Sequence, residues 1–382
     1  MEKIKLGDLC VPSAGQIKED ADALIDYIDI SSVDNETKKV TGFQTMLFGE
    51  SPSRARKSVR KGSILVSTVR PNLNAVAMLE EDTPNISVAS TGFCILDCKE
   101  KVDNRFVLNF CKSKTFIDDM VSQATGASYP AVSDKIVRSA LVPKYTYEEQ
   151  CSISEILDRV SNIIESRNAE LSTLDDLIKA RFVEMFGEYY KNHINEKQLD
   201  EICDFIDYRG KTPEKSESGI PLITAKNVKD NRFSIEPQEF IPEENYDDVM
   251  TRGIPRVNDV LFTTEAPLGN VCRIPDVYER FCVGQRLITM QPHTDVINPE
   301  YLEHALTSAE FQEKMWQKSS GSTVKGIRSK LLVLLTIPVP PIELQNQFRD
   351  FLKQVDKSKV AVQKSLDETQ QLFDSLMQKY FG

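Results

Sequence analysis

The chain has only three histidines and one tryptophan in 382 residues, and its 47 Lys and Arg are outnumbered by 58 Asp and Glu. Three isolated histidines are too few for a Ser-His-Asp triad or a zinc hydrolase. A formal charge of −11 argues against a chain-wide polyanion-binding surface and for a soluble, self-repelling particle. Long apolar runs are missing too. Leu331–Ile337 and Leu141–Pro143 with their neighbours fall far short of the roughly 20 residues of a membrane span. Met1-Glu-Lys-Ile-Lys-Leu6 has no apolar signal core, so a cytosolic protein is expected. Glycine and proline, at 16 and 18, are too sparse for a fibrous chain, and 40% hydrophobic residues are too many for a disordered one.

Motifs that carry chemistry are equally scarce. No Gly-x-Gly-x-x-Gly, Walker-type phosphate loop or Gly-x-Ser-x-Gly elbow occurs. Val339-Pro-Pro-Ile342 lacks the Asn or Asp and the aromatic residue that an amino-methyltransferase places around such a pair. Glu36-Thr-Lys38 has the Glu-x-Lys form of a nuclease site without a preceding Pro-Asp, and reads as a charged turn. The eight cysteines are spread along the chain in apolar company. Cys94 and Cys98 are the one close pair, and the histidines have no ligand-like spacing to them. Packed, reduced thiols and no metal are expected.

What is present is an internal repeat. Ile153-Ser-Glu-Ile-Leu-Asp-Arg-Val160 matches Phe348-Arg-Asp-Phe-Leu-Lys-Gln-Val355 at an offset of 195. The same offset carries Gly126 to Gly321, Pro143 to Pro338, Gln150 to Gln345, Leu177 to Leu372 and Phe186-Gly187 to Phe381-Gly382. Upstream, Leu6–Cys10 parallels Leu199–Cys203 and Ile64–Thr68 parallels Val260–Thr264, with small insertions between. Each half begins with a mixed α+β region. Ile64–Val69, Ser87–Leu96, Val260–Thr264 and Phe281–Met290 read as strands, and Val102–Val121 and Asn298–Trp316 as helices.

A long helix follows the prolines at 143 and 338–341. Apolar residues recur at spacings of four and three: Leu157, Val160 and Ile164 in the first helix, Leu352, Val355 and Leu366 in the second. Arg167, Lys359 and Thr369 interrupt the seam. Such heptads predict an antiparallel coiled coil, each helix about 36 residues and roughly 54 Å long, with the terminal Phe-Gly supplying a C-cap. Phe186 and Phe381, near the helix ends, are expected to be exposed and to meet a partner. The alternative is that each helix packs on its own domain.

Positive charge clusters locally. Arg54, Arg56, Lys57, Arg60 and Lys61 precede Arg70, and Lys314, Lys318, Lys325, Arg328 and Lys330 span 17 residues without an acid. Lys57, Arg60, Lys318 and Lys325 are candidates for phosphate contacts. Arg70, Asn72, Thr125, Ser128, Lys211, Lys226, Ser322 and Thr323 are candidates for binding loops beside them, although Ser, Thr and Asn are equally ordinary turn and cap residues.

With these features in hand, the chain resembles the specificity subunits of Type I restriction–modification systems. The resemblance lies in Arg209-Gly-Lys-Thr-Pro213, Ile220-Pro-Leu-Ile-Thr224, Thr263-Thr-Glu-Ala-Pro-Leu-Gly-Asn-Val271, Ser320-Gly-Ser-Thr-Val-Lys-Gly-Ile327 and Ile337-Pro-Val-Pro-Pro-Ile-Glu-Leu-Gln-Asn-Gln347. Weaker versions stand at Thr68-Val-Arg-Pro71, Ala124-Thr-Gly-Ala-Ser128 and Val142–Gln150. The resemblance implies target-recognition domains at 1–147 and 188–342 and spacer helices at 148–187 and 343–382. It implies a non-catalytic chain directing a methyltransferase, and a restriction complex, to a bipartite asymmetric site in double-stranded DNA. The expected partners are two modification subunits and, where present, a restriction and translocase subunit. S-adenosylmethionine would sit in the modification partner, ATP and Mg in the restriction partner, and no cofactor in this chain. Two other readings stay open: a coiled-coil scaffold with duplicated protein-binding domains, and an enzyme with an unrecognised site. Glu148–Gly187 carries nine acids and four bases, so one helix supplies much of the negative charge.

Overall fold

The computed structural model describes residues 2–12, 16–208, 213–229, 231–321 and 325–382. It divides into two units, Met1–Ala169 with Gln363–Gly382, and Glu170–Val362. The division falls within two long helices, Tyr147–Lys191 and Ile342–Phe381, so each unit holds part of both.

In the first unit, Leu24–Ile28 lies between Gln44–Leu47 and Ile86–Ser90, parallel to the latter, with Ala55–Ser58 at the edge. A second sheet places Ile64–Ser67 between Val76–Met78 and Phe93–Leu96, and Lys3–Lys5 pairs with Leu141–Pro143. The second unit repeats this frame. Ile220–Ile223 lies between Phe240–Ile241 and a parallel Cys282–Val283. Val260–Thr263 lies between Val271–Arg273 and Leu287–Pro292, with Cys203–Asp207 outside, and Glu196–Gln198 pairs with Thr336–Pro338. Ile64–Ser67 and Val260–Thr263 are buried along their whole length, which is why they read as unbroken apolar runs.

The two long strands expected from sequence are each broken in two. Ile86–Ser90 and Phe93–Leu96 belong to different sheets, as do Cys282–Val283 and Leu287–Pro292. The chain turns a corner at Thr91-Gly92 and at Gly284–Arg286, where it changes sheets. A Cβ at Gly92 would stand 2.7 Å from the terminal methyl of Ile30, so a side chain at the first corner would have to displace that methyl. The expected helices are broken likewise, into Asn104–Lys112 with Lys114–Gln123 and Pro299–Thr307 with Ala309–Lys318. Ser113 and Ser308 sit in extended backbone at the breaks. Each hydroxyl accepts from an amide of the second helix, Phe116 or Phe311.

One buried glutamine per half ties the long helix to the α+β region. Gln150 accepts from the Asp103 amide at 3.1 Å and donates to the Tyr145 carbonyl at 3.0 Å. Gln345 accepts from the Asn298 amide at 2.8 Å and donates to the Pro340 carbonyl at 2.7 Å.

At 45 and 40 residues the helices exceed the expected length, and at 1.5 Å per residue they measure roughly 68 and 60 Å. Gly187 does not cap the first, which continues to Lys191 because Gly187 keeps helical backbone. The helices pair antiparallel. In the second unit Asp175 reaches Lys359 and Phe186 reaches Phe348. In the first, Ile153 and Leu157 share a core with Phe373, Leu376 and Phe381. Leu157, Val160, Leu352 and Val355 are buried, and Ile164 and Leu366 half-buried. Lys359, an interruption of the seam, meets an acid from the other helix.

Phe186 and Phe381 are not exposed ends. Both are fully buried, Phe186 against Tyr301 and Phe348, Phe381 against Phe106 and Phe110. An apolar ring of this size at the foot of a long helix gains more from the neighbouring core than from water.

Candidate nucleic-acid interface

In both units the central strand leads into a clamp that holds a polar loop. In the first, the Thr68 amide and hydroxyl donate to the Gly92 carbonyl at 2.8 and 2.9 Å, while the Thr68 carbonyl accepts from the Val132 amide. Thr125 and Ala131 exchange backbone hydrogen bonds across the loop, and the Arg70 amide donates to the Pro130 carbonyl at 2.7 Å. Arg70 is exposed and left-handed, at φ +49°, and its guanidinium lies 5.0 Å over the ring of Tyr129, itself 69% exposed. Asn72, Thr125 and Ser128 are exposed on the same loops. Asp34, Asn35, Thr41, Arg70, Leu73 and Tyr129 line a cleft of about 640 Å³.

The second unit builds the same clamp from Thr264, whose amide and hydroxyl donate to the Arg286 carbonyl at 3.1 and 3.3 Å. Its carbonyl accepts from Ile327, and Ser320 pairs with Gly326. Gly126 and Gly321, equivalent in the repeat, both have positive φ, +104° and +116°, which a glycine adopts without strain. Lys318 and Lys325 flank this loop and are exposed, whereas Lys211, Ser322 and Thr323 lie outside the described residues. A cleft of about 590 Å³ opens beside it, lined by Lys215, Lys226, Lys229, Gln285 and Arg286 with Leu222, Ala225 and Pro267. Glu239 stands between Lys215 and Lys226, at 2.6 and 3.0 Å. Burial pushes its pKa up, but hydrogen bonds from the two lysines outweigh that and hold the carboxyl below its ordinary value.

The remaining sequence candidates stand apart from these loops. Lys57 is mostly buried, its ammonium 2.6 Å from both Asp134 and the Phe93 carbonyl. Arg60 is exposed, 3.9 Å from Asp97. Sequence reading missed Tyr129, Lys215, Gln285 and Arg286. The available signal for the last two was a Gly-Gln-Arg corner inside a run otherwise made of strand formers. One further cluster, His193, Glu196 and Glu310, brings three potential ligand atoms within 4.8 Å of one another. Lys314 already supplies the positive charge there, at 3.2 Å from Glu196 and 2.9 Å from Glu310.

Residues 192–370 match the family of the Type I restriction modification DNA specificity domain. The first half is built on the same frame. Residues 192–370 thus carry a Type I DNA specificity domain. The MjaVIII specificity subunit of Methanocaldococcus jannaschii is 24% identical over 70% of this chain and 67% of its own length. The putative MjaX specificity subunit of the same organism is 21% identical over 66% of this chain and 60% of its own length. This chain thus spans about two thirds of the relatives it matches. The fold is shared with a chain from a type I restriction–modification assembly, at 23% identity and TM-score 0.61, covering 100% of this chain and 97% of that one. It is also shared with the S subunit from M. genitalium, at 16% identity and TM-score 0.58, covering 100% and 96%. The matched domain and these similarities support DNA sequence specificity as the role of the chain. No helix among the described residues is long and apolar enough to cross a membrane.

Proposed function

We propose that residues 1–147 and 188–342 each read one half of a bipartite, asymmetric target in double-stranded DNA, and that the helices of 148–187 and 343–382 fix the spacing. The observation that carries this reading is the doubled frame, in which each copy presents a clamped, exposed loop of different side chains beside a cleft. Two readers joined by stiff helices meet two half-sites at high effective concentration, without either binding strongly alone.

The chain itself performs no catalysis in this reading; it acts in the cytoplasm and directs methyltransferase subunits. Leu177 and Leu372 support their docking. These residues are equivalent in the repeat, and both project large apolar side chains from a long helix, 46% and 51% exposed. One methyltransferase per copy of the repeat gives two per chain. A restriction subunit completes the assembly where the system has one. The acidic first helix leaves much of the electrostatic hold on DNA to these partners.

Single-molecule mapping of methylated bases in cells with and without this chain is the decisive test. Loss of one bipartite motif on deletion is expected; an unchanged methylome refutes the proposal. Leu177→Asp with Leu372→Asp is expected to abolish co-purification of the methyltransferase while leaving the chain folded.

A further inference from the structure

We infer that Arg286, with Gln285 beside it, is a base-reading residue of the second recognition region, and that Arg70 is its counterpart in the first, placed on the opposite side of a shared frame. The inference rests on the DNA-specificity reading and adds to it which side chains discriminate bases.

The repeat makes the argument. Thr68 and Thr264 occupy the same place, each donating through amide and hydroxyl to one carbonyl on the neighbouring strand corner. That carbonyl belongs to Gly92 in the first unit and to Arg286 in the second. Two residues beyond the threonine stands Arg70 in the first unit and Ala266 in the second. Each clamp therefore carries one arginine, and where one has arginine the other has glycine or alanine. The swap is reciprocal.

Phosphates are spaced alike along any duplex, so side chains that only grip the backbone have no reason to change place between copies of one frame. Base edges differ from one half-site to the other. A cation that moves between equivalent strand corners is the signature expected of a residue whose target differs. The surroundings agree. Arg286 is exposed, lines the 590 Å³ cleft and makes no ion pair among the described residues. Its backbone is held by Thr264, so the side chain projects from a fixed point. Arg70 likewise makes no ion pair among the described residues, and its guanidinium is oriented by Tyr129. A guanidinium fork matches O6 and N7 of guanine, and a neighbouring carboxamide matches N6 and N7 of adenine. Gln285 and Arg286 thus offer a guanine reader next to an adenine reader.

The test uses the full chain assembled with its methyltransferase subunits, with methylated motifs mapped for wild type, Arg286→Ala, Arg286→Gln, Gln285→Ala and Arg70→Ala. Arg286→Ala is expected to relax one guanine of one half-site, lowering discrimination there roughly five- to 150-fold, with the other half-site and the spacer unchanged. Arg70→Ala is expected to relax a position in the other half-site only. Gln285→Ala is expected to relax an adenine next to the Arg286 position. Should Arg286→Ala fail to assemble, Arg286→Gln, similar in length and uncharged, is expected to assemble and show the same relaxation. An unchanged motif with uniformly weaker methylation in either Arg286 variant would make this residue a phosphate contact and overturn the inference. A wild-type chain whose removal costs no motif would instead overturn the specificity reading itself.

Discussion

The two units share strand order, parallel pairing, clamp threonine, capping serine and buried glutamine, yet their exposed loops have little in common. The first presents Arg70 stacked on Tyr129 beside Asp34 and Asn35; the second presents Arg286, Gln285 and three lysines around a cleft. What recurs is what holds backbone in place, and what differs is what faces solvent. The difference separates the frame from the loops proposed to read DNA without any other sequence for reference.

The largest effect that would break this comparison lies at the helix feet. Phe186→Ala and Phe381→Ala should each cost about 3–5 kcal/mol, read as lost hydrogen-exchange protection in the unit that houses the ring. If only one does so, the two copies are not packed alike. Next come the glutamines. Gln150→Ala and Gln345→Ala should each cost about 1–3 kcal/mol in denaturant titration, because an amide and a carbonyl lose their partner inside the protein.

Histidine offers a sharper contrast, since all three lie in the second unit. Burial, aided by Arg273 and Lys359, pushes the His304 imidazole from its ordinary 6.5 down to about 3. The unfolded chain therefore takes up a proton near pH 6.5 that the folded chain refuses. His304 leaves stability untouched above that pH and removes it as pH falls toward 3, by up to about 1.4 kcal/mol per pH unit. His304→Leu should flatten this loss in the second unit and leave the first unchanged, as followed by exchange protection from pH 7 to 5. The smallest effect is Lys359→Ala. Its ion pair with Asp175 is partly exposed, and a change of about 0.5 kcal/mol is expected in the same titration.

Much of the frame was legible because repetition and heptad spacing depend on residues buried for their own sake. Leu157 and Leu352, or Gln150 and Gln345, announce themselves by recurring. The strand corners were not legible. A segment such as Phe281–Met290 has strand formers on both sides of Gly284-Gln285-Arg286, and that triplet marks a break without saying that the chain changes sheet. Phe186 was misplaced for a related reason: the glycine after it suggested a helix end, whereas its burial depends on Tyr301 and Phe348, 115 and 162 residues away. The loops proposed to read DNA were half legible. Gly126 and Gly321 mark them, but the neighbourhood of Arg286 is assembled by a threonine from another strand. Lys211, Ser322 and Thr323 lie outside the described residues and stay as expectations.

The division of the helices between the units also sets an order of events in the cell. Phe381 fills the core around Phe106 and Phe110, so the first unit stays open until Phe381 has been synthesised, long after the rings it meets. The second unit is formed by Glu170–Val362 and can close earlier. Synthesis therefore completes the two units in reverse order, and a chain interrupted shortly before Phe381 would carry a finished second unit and an unfinished first one.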